Sequence, residues 1–257
     1  MKTLYKRRRL LSEDTNSKTV KGQKLGFLTG ILYLAPGSLS GVNLCPLAEK
    51  AGCLNPCLYG AGRAAFTPSI PIARINKTKY YLENKAAFFH NLVMDIELLI
   101  AHAKKKGLIP LVRLNGTSDI RWENEYFDHE FMNGKIRSVN IFQVFPEVQF
   151  YDYTKISNRK SIPKNYDLTF SYSGRAAFKP FLDQALAAGM RIAAVFHDKN
   201  NIPDKFMGRK VLPGDNSDIR HTEKKNSIVA LYAKGPAKKD FSGFVVDNRP
   251  IIYLKAA

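Results

Sequence analysis

The run Gly30-Ile31-Leu32-Tyr33-Leu34-Ala35, stopped by Pro36-Gly37, most limits what this chain can fold into. A short uninterrupted apolar run bounded by turn residues is the mark of a strand buried on both faces. Comparable runs follow at Ile109–Leu114, Val148–Thr154, Asp167–Ser173, Arg191–Phe196 and Ile228–Tyr232, with a shorter one, Val211-Leu212, before Pro213-Gly214-Asp215. Between the first two, Phe88, Leu92, Ile96 and Leu99 recur at helical spacing. They predict a helix over 79–106, closed by Lys104-Lys105-Lys106-Gly107. A second helix is expected over Ala177–Ala188. Buried strands alternating with helices imply parallel βα units. The expected fold class is α/β. It is read as a partial (β/α) barrel of about six parallel βα units over residues 26–257, behind a loose basic N-terminal arm over residues 1–25.

Parallel strands deliver the residues that follow them to one end of the sheet, where α/β proteins build their sites. Those residues are polar in this chain: Asn115-Gly116-Thr117-Ser118-Asp119, Tyr153-Thr154-Lys155, Ser171-Tyr172-Ser173-Gly174, His197-Asp198-Lys199 and Gly214-Asp215-Asn216-Ser217-Asp218. Asp119, Asp215 and His197 are the candidate catalytic groups, as carboxylate nucleophile or base and as acid/base or ligand. The competing reading is that carboxylates at loop starts cap helices and that a lone histidine is structural.

The long loop expected after the first strand, roughly residues 37–76, carries all three cysteines, Cys45, Cys53 and Cys57, spaced C-x7-C-x3-C. Thiolates suit zinc or iron–sulfur, and Pro46, Gly52 and Pro56 help the loop turn so that the sulfurs converge. A structural zinc site needs a fourth ligand from elsewhere. Three buried thiols acting as small hydrophobes remain the alternative. An odd number of cysteines close together does not make a disulfide framework, which points to a reducing compartment.

Lys and Arg number 40 against 22 Asp and Glu, a formal charge of +18. Nucleic acid, DNA or RNA, is the polyanion such a surplus most often meets. Arg7, Arg8 and Arg9 at the start, and Lys234, Lys238 and Lys239 near the end, are the candidate phosphate contacts, the latter interleaved with Tyr232, Phe241 and Phe244. No run of about 18 apolar residues exists, so no membrane span is expected. No apolar stretch follows the basic start, so no secretory signal is expected, and the cytoplasm is the expected compartment. There is no Walker loop, H-E-x-x-H, G-x-S-x-G or zinc-deaminase box.

A cysteine loop directly after the first strand of such a barrel resembles the radical S-adenosylmethionine superfamily, although its common spacing is C-x3-C-x2-C. That resemblance implies that Cys45, Cys53 and Cys57 hold a cubane iron–sulfur cluster (4Fe-4S) with S-adenosylmethionine on its open iron. Asn115 and Gly116 would meet the methionine amino group, and Ser171 and Ser173 the ribose. A closer resemblance is to the phage gene product eighty-eight-like family. It is carried by Cys57-Leu58-Tyr59-Gly60-Ala61-Gly62-Arg63, by the R-x-x-G-x-x-D stretch Arg113–Asp119, and by Phe145-Pro146-Glu147-Val148-Gln149-Phe150-Tyr151-Asp152-Tyr153-Thr154-Lys155, within residues 30–245. Together these imply a phage enzyme that modifies a nucleic acid or its precursor in the host cytoplasm. The alternatives are a zinc-dependent base transglycosylase acting on DNA or tRNA through its aspartates, and a non-catalytic nucleic-acid-binding protein.

Overall fold

Apolar runs that alternate with amphipathic segments pair with one another once the helices between them cover one face. Here β2 (Phe27–Leu32), β3 (Ile109–Arg113), β6 (Gln149–Thr154), β7 (Tyr166–Ser171), β8 (Arg191–Phe196) and β11 (Ile228–Tyr232) lie side by side in chain order, each pair parallel. The computed structural model describes residues 8–13 and 17–250. Its remaining strands are β1 (Leu11–Ser12), the hairpin β4 (Phe127–Glu130) and β5 (Ile136–Val139), β9 (Lys205–Phe206), β10 (Arg209–Pro213) and β12 (Val245–Val246). Its α-helices are α1 (Ser17–Gln23), α2 (Ser69–Glu83), α3 (Lys85–Lys106), α4 (Ile141–Val144) and α5 (Lys179–Ala187).

The expected barrel of βα units does not form. The main sheet is mixed and ten-stranded, ordered β1-β2-β3-β6-β7-β8-β11-β10-β9, with β12 also beside β8. Antiparallel β1 and β9 finish its two ends. Helices are too few for an outer ring. Only the β2–β3 and β7–β8 connections carry helices of any length, whereas β3–β6 carries the separate hairpin and the four-residue α4, and residues 155–165 between β6 and β7 carry none.

The single helix expected over 79–106 is two. Asn84, at φ −137° and ψ 56°, breaks the chain between α2 and α3, and α2 takes over the end of what reads as loop in the sequence. On α3 the spaced residues Phe88, Leu92, Ile96 and Leu99 are fully buried against Leu28, Leu32, Val112 and Phe150 of the sheet. It is the one helix among the described residues long and apolar enough to cross a membrane, and half of its most apolar stretch is already packed inside. Around α5, Phe178, Leu182 and Ala185 form a second cluster with Phe170, Ile192 and Phe196.

The other face of the sheet is polar. Arg113, Tyr153 and Arg191 project there and are met by the segment that follows β10. Arg113 pairs with Asp218 at 2.6 Å, Tyr153 donates to the same carboxylate, and Arg220 pairs with Glu223 and donates to Gly214 O. Arg191 holds Asp167 at 2.7 Å. Each of these arginines has a carboxylate, as buried charge requires.

Of the expected loose arm over residues 1–25, residues 8–13 and 17–25 are described, and Leu10 to Ser12 pack onto the fold. Leu10 and Leu11 are buried, and their amides donate to Asp95 of α3 at 2.5 and 2.9 Å. Arg8 lies over the Tyr80 ring, Arg9 bridges Glu13, and Arg7 is outside the described residues. Asp95→Ala leaves two buried backbone donors unpaired and should lower stability by about 3 kcal/mol. Urea unfolding of the two proteins measures the difference. An effect within error of zero would mean that this anchor contributes nothing.

Candidate functional site

Parallel strands bring the segments after β2, β3, β6 and β7 to one end of the sheet, and the cysteine loop is strapped across that end. Asp119 N donates to Leu44 O at 2.9 Å, Arg175 Nη1 donates to Glu49 O at 2.9 Å, and Ser242 Oγ donates to Gly52 O at 3.4 Å. A short 3-10 turn, Leu58–Gly60, packs against another, Gly235–Lys239, with Gly60 close against Pro236. The loop is therefore held by the segments after β3, β7 and β11.

Beneath it lies Lys155, the residue after β6. It is 8% exposed, and its ammonium donates to Ser171 O, Ser171 Oγ and Tyr172 O at 3.2, 3.0 and 3.3 Å. Those three bonds use all of its protons. Phe244 and Phe178 rings flank it at 4.8 and 5.2 Å. Burial pulls the Lys155 ammonium below its ordinary range, opposed by Cys53 and Asp119 and, less strongly, by Cys45 and Cys57. Asp119 accepts from Thr154 Oγ1 at 2.7 Å and from Lys155 N at 2.8 Å, with Arg159 at 3.9 Å. Burial pushes its carboxyl up.

The cysteines are half-buried and free, and they sit within electrostatic reach of one another. Cys45 Sγ faces Thr117 O at 3.8 Å, and Cys57 receives the Tyr59 amide. Burial pushes the Cys45 thiol up to about 12 and raises Cys53 and Cys57 as well. The metal-binding expectation, iron–sulfur or zinc, is corrected here: among the described residues no three His, Cys, Asp or Glu side chains are grouped to hold a metal ion. Cys45 is turned to Thr117 O and Cys57 takes the Tyr59 amide, whereas a metal needs the sulfurs converging on one point.

The other expected residues are placed as follows. Asn115 spends its side chain inside its own loop: Oδ1 accepts from Ser118 Oγ, Ile120 N and Trp122 Nε1, and Nδ2 donates to Ile120 O. Gly116 donates to Leu32 O at 3.0 Å, and any Cβ there would come within 2.7 Å of that oxygen. Ser173 is fully buried, and its Oγ accepts from Arg175 N. Asp215 pairs with Lys234 at 2.8 Å and accepts from Tyr232 N. His197 bonds Asp240 O through Nε2 at 2.7 Å and stacks on exposed Phe241. Asp119 and Ser171 thus share the Lys155 cluster with the cysteines, while Asp215 and His197 are engaged at neighbouring strand ends. Exposed Lys238 and Lys239 sit in the turn that packs on Leu58–Gly60 of the cysteine loop, with exposed Phe241 following that turn and exposed Arg63 and Phe66 following Leu58–Gly60.

Two central groups escape the sequence reading. Lys155 is legible only as one polar residue after a strand. Arg74 is a lone cation in the apolar stretch Ile70-Pro71-Ile72-Ala73-Arg74-Ile75, and its reach from α2 into the strand-end cluster depends on the fold. The model of a protein family described as gene product 88 matches residues 4–248. No curated protein and no solved structure matches.

Two measurements test this geometry. At pH 8 Cys45 should be alkylated by iodoacetamide at least about a hundredfold more slowly than a free thiol, because thiolate fraction sets the rate; site-resolved mass spectrometry reads it. Free-thiol rates at Cys45 would contradict its burial. Asp152, fully buried beneath the Asn115 loop, accepts from Leu114 N, Asn115 N and Tyr166 Oη, and burial raises its carboxyl to about 6. Its folded value lies above the unfolded one, so the folded state binds the proton more tightly. Stability should therefore decline as pH rises from about 4 to about 6, by on the order of 3 kcal/mol. Asp152→Asn should flatten that part of the profile, and an unchanged profile would remove Asp152 as its source.

Proposed function

The chain belongs to the phage gene product 88-like family, and on that footing we propose that it is a nucleic-acid-binding protein that receives a strand across the cysteine-loop end of its sheet. One observation carries this reading. The turn bearing Lys238 and Lys239 packs directly on the cysteine loop, so a basic rim with exposed aromatics borders the cluster around Lys155. Lysines and Arg63 contact phosphates at such a rim, and Phe66, 87% exposed, and Phe241, 63% exposed, offer faces or edges for bases. The overall charge of +18 raises the local concentration of any strand. In this reading the protein acts in the host cytoplasm, where free cysteines persist.

A second reading is favoured by Lys155 and Asp119. A buried ammonium and a buried carboxyl beside three thiols, at the end of the sheet where sites form, fit an enzyme that modifies the bound nucleic acid or its precursor. Its test is the mass of nucleosides from cells expressing the chain or its Lys155→Met variant. A modified nucleoside lost in the variant supports it, and identical nucleoside profiles in expressing and non-expressing cells remove it.

The binding reading predicts steep salt dependence. Fluorescence anisotropy with single-stranded DNA, duplex DNA and RNA oligonucleotides should show affinity falling linearly with log salt, and Lys238→Ala/Lys239→Ala should lessen the slope by about 2. Absence of binding to every one of these probes at low salt overturns the proposal.

A further inference from the structure

Arg74 reaches from α2 into the cluster already described. Its guanidinium lies over the Tyr33 ring at 4.9 Å and the Tyr59 ring at 5.7 Å. Nε and Nη1 are shielded from solvent and have no hydrogen-bond partner among the described residues. Arg113, Arg159, Arg191 and Arg220 each leave one guanidinium nitrogen in the same state but hold a carboxylate through another, whereas Arg74 leaves two, and unpaired charged donors are costly. Cys57 is within electrostatic reach of two cations, Arg74 and Lys155.

The charges around this point do not balance. Arg159 pairs with Glu123 and approaches Asp119. Among the described residues no carboxylate forms an ion pair with Arg74 or with the Lys155 ammonium, which Asp119 reaches only at longer range, and burial raises the three thiols. Elsewhere the chain matches its buried arginines with acids: Arg113 with Asp218, Arg191 with Asp167, and Arg220 with Glu223. Two cations without an ion pair at the end of a parallel sheet, Arg74 between aromatic rings with donors unspent and Lys155 with its donors spent on Ser171 and Tyr172, form a site that lacks its anion.

We infer that this site takes a phosphoryl group, seated between Arg74 and Lys155 over Cys57. Arg74 supplies donors held in a fixed plane by Tyr33 and Tyr59, and Lys155, whose three protons are committed to Ser171 and Tyr172, adds positive charge but no donor. The inference rests on the nucleic-acid reading and deepens it, because the basic rim leads to this point. The group comes either from a free nucleotide or from the backbone of a bound strand.

The experiment titrates the full chain with inorganic phosphate, a nucleoside 5′-monophosphate, the parent nucleoside and an oligonucleotide, by calorimetry. Phosphate and the monophosphate should bind and the nucleoside should not. Arg74→Gln should weaken phosphate binding about tenfold or more through lost charged hydrogen bonds. Lys238→Ala/Lys239→Ala should leave it unchanged while weakening the oligonucleotide. A monophosphate that binds as tightly as the oligonucleotide identifies a free nucleotide. An oligonucleotide that binds far more tightly, and loses affinity with Arg74→Gln, identifies a strand. If Arg74→Gln fails to fold, the wild type decides: phosphate at matched ionic strength should slow alkylation of Cys57 more than of Cys45. Oligonucleotide binding without any phosphate effect overturns this inference and leaves the rim intact, whereas loss of both overturns both. Stoichiometric iron or zinc held by the thiols would also overturn it, since thiolates would then supply the missing negative charge.

Discussion

One carboxylate, Asp119, ties together the parts on which the functional end of this protein depends. Its two oxygens accept from Thr154 Oγ1 and Lys155 N, which fixes the end of β6 against the loop after β3. Its own amide donates to Leu44 O, which fixes the cysteine loop to the same point. Bonds to a charged acceptor inside a low-dielectric interior are the strong kind, and losing one leaves a buried donor exposed to no water. The direction of the Lys155 backbone, and hence the path of its ammonium toward Ser171, follows from this junction. That is a structural reason for an aspartate after β3, and it stands independently of any catalytic role.

The open sheet has an equally physical origin. A (β/α) barrel is built by following every strand with a helix that covers it and returns the chain. This chain spends the residues after β3 on the β4–β5 hairpin and a four-residue α4, and after β6 on an irregular loop. The polar face that a barrel would enclose is occupied instead by Asp218, Ile219, Arg220 and Glu223, with Ile219 packed on Leu111 and Tyr151 and the charged groups paired to Arg113 and its neighbours. A segment of the chain does the work that opposing strands do in a closed barrel.

Much of the sheet was legible in the sequence, because a buried parallel strand must be apolar along its length. The runs at β3, β6, β7, β8 and β11 show this directly, and Phe88, Leu92, Ile96 and Leu99 mark the packed face of α3 without help from any partner. The break at Asn84 was hidden because helical periodicity continues across it, and the β4–β5 hairpin because its residues are mostly exposed and carry no buried pattern. The cysteine spacing suggested a metal, since spacing reports which sulfurs can approach but not where each one points. Cys45 turns to Thr117 O, a partner 72 positions away that no local reading supplies. Arg74 and Lys155 were missed as a pair for the same reason: 81 residues separate them in sequence, and only the fold brings both within electrostatic reach of Cys57.

The distribution of charge sharpens what the net surplus means. Arg113, Arg159, Arg191 and Arg220 are paired with Asp218, Glu123, Asp167 and Glu223, so each buried arginine takes a carboxylate out of the surface pool with it. Matched burial of this kind removes equal numbers of positive and negative charges, so it does not consume the formal surplus of +18. The exposed surface is thus proportionally poorer in acid than the composition suggests. A field of that sign is strongest where exposed lysines cluster beside a low-dielectric wall, and the turn carrying Lys238 and Lys239 against the cysteine loop has that form. The two unmatched cations lie behind that same loop. The long-range attraction of the rim and the short-range demand of the buried pair therefore act on an anion in the same direction, which is the physical link between the chain's composition and its candidate site.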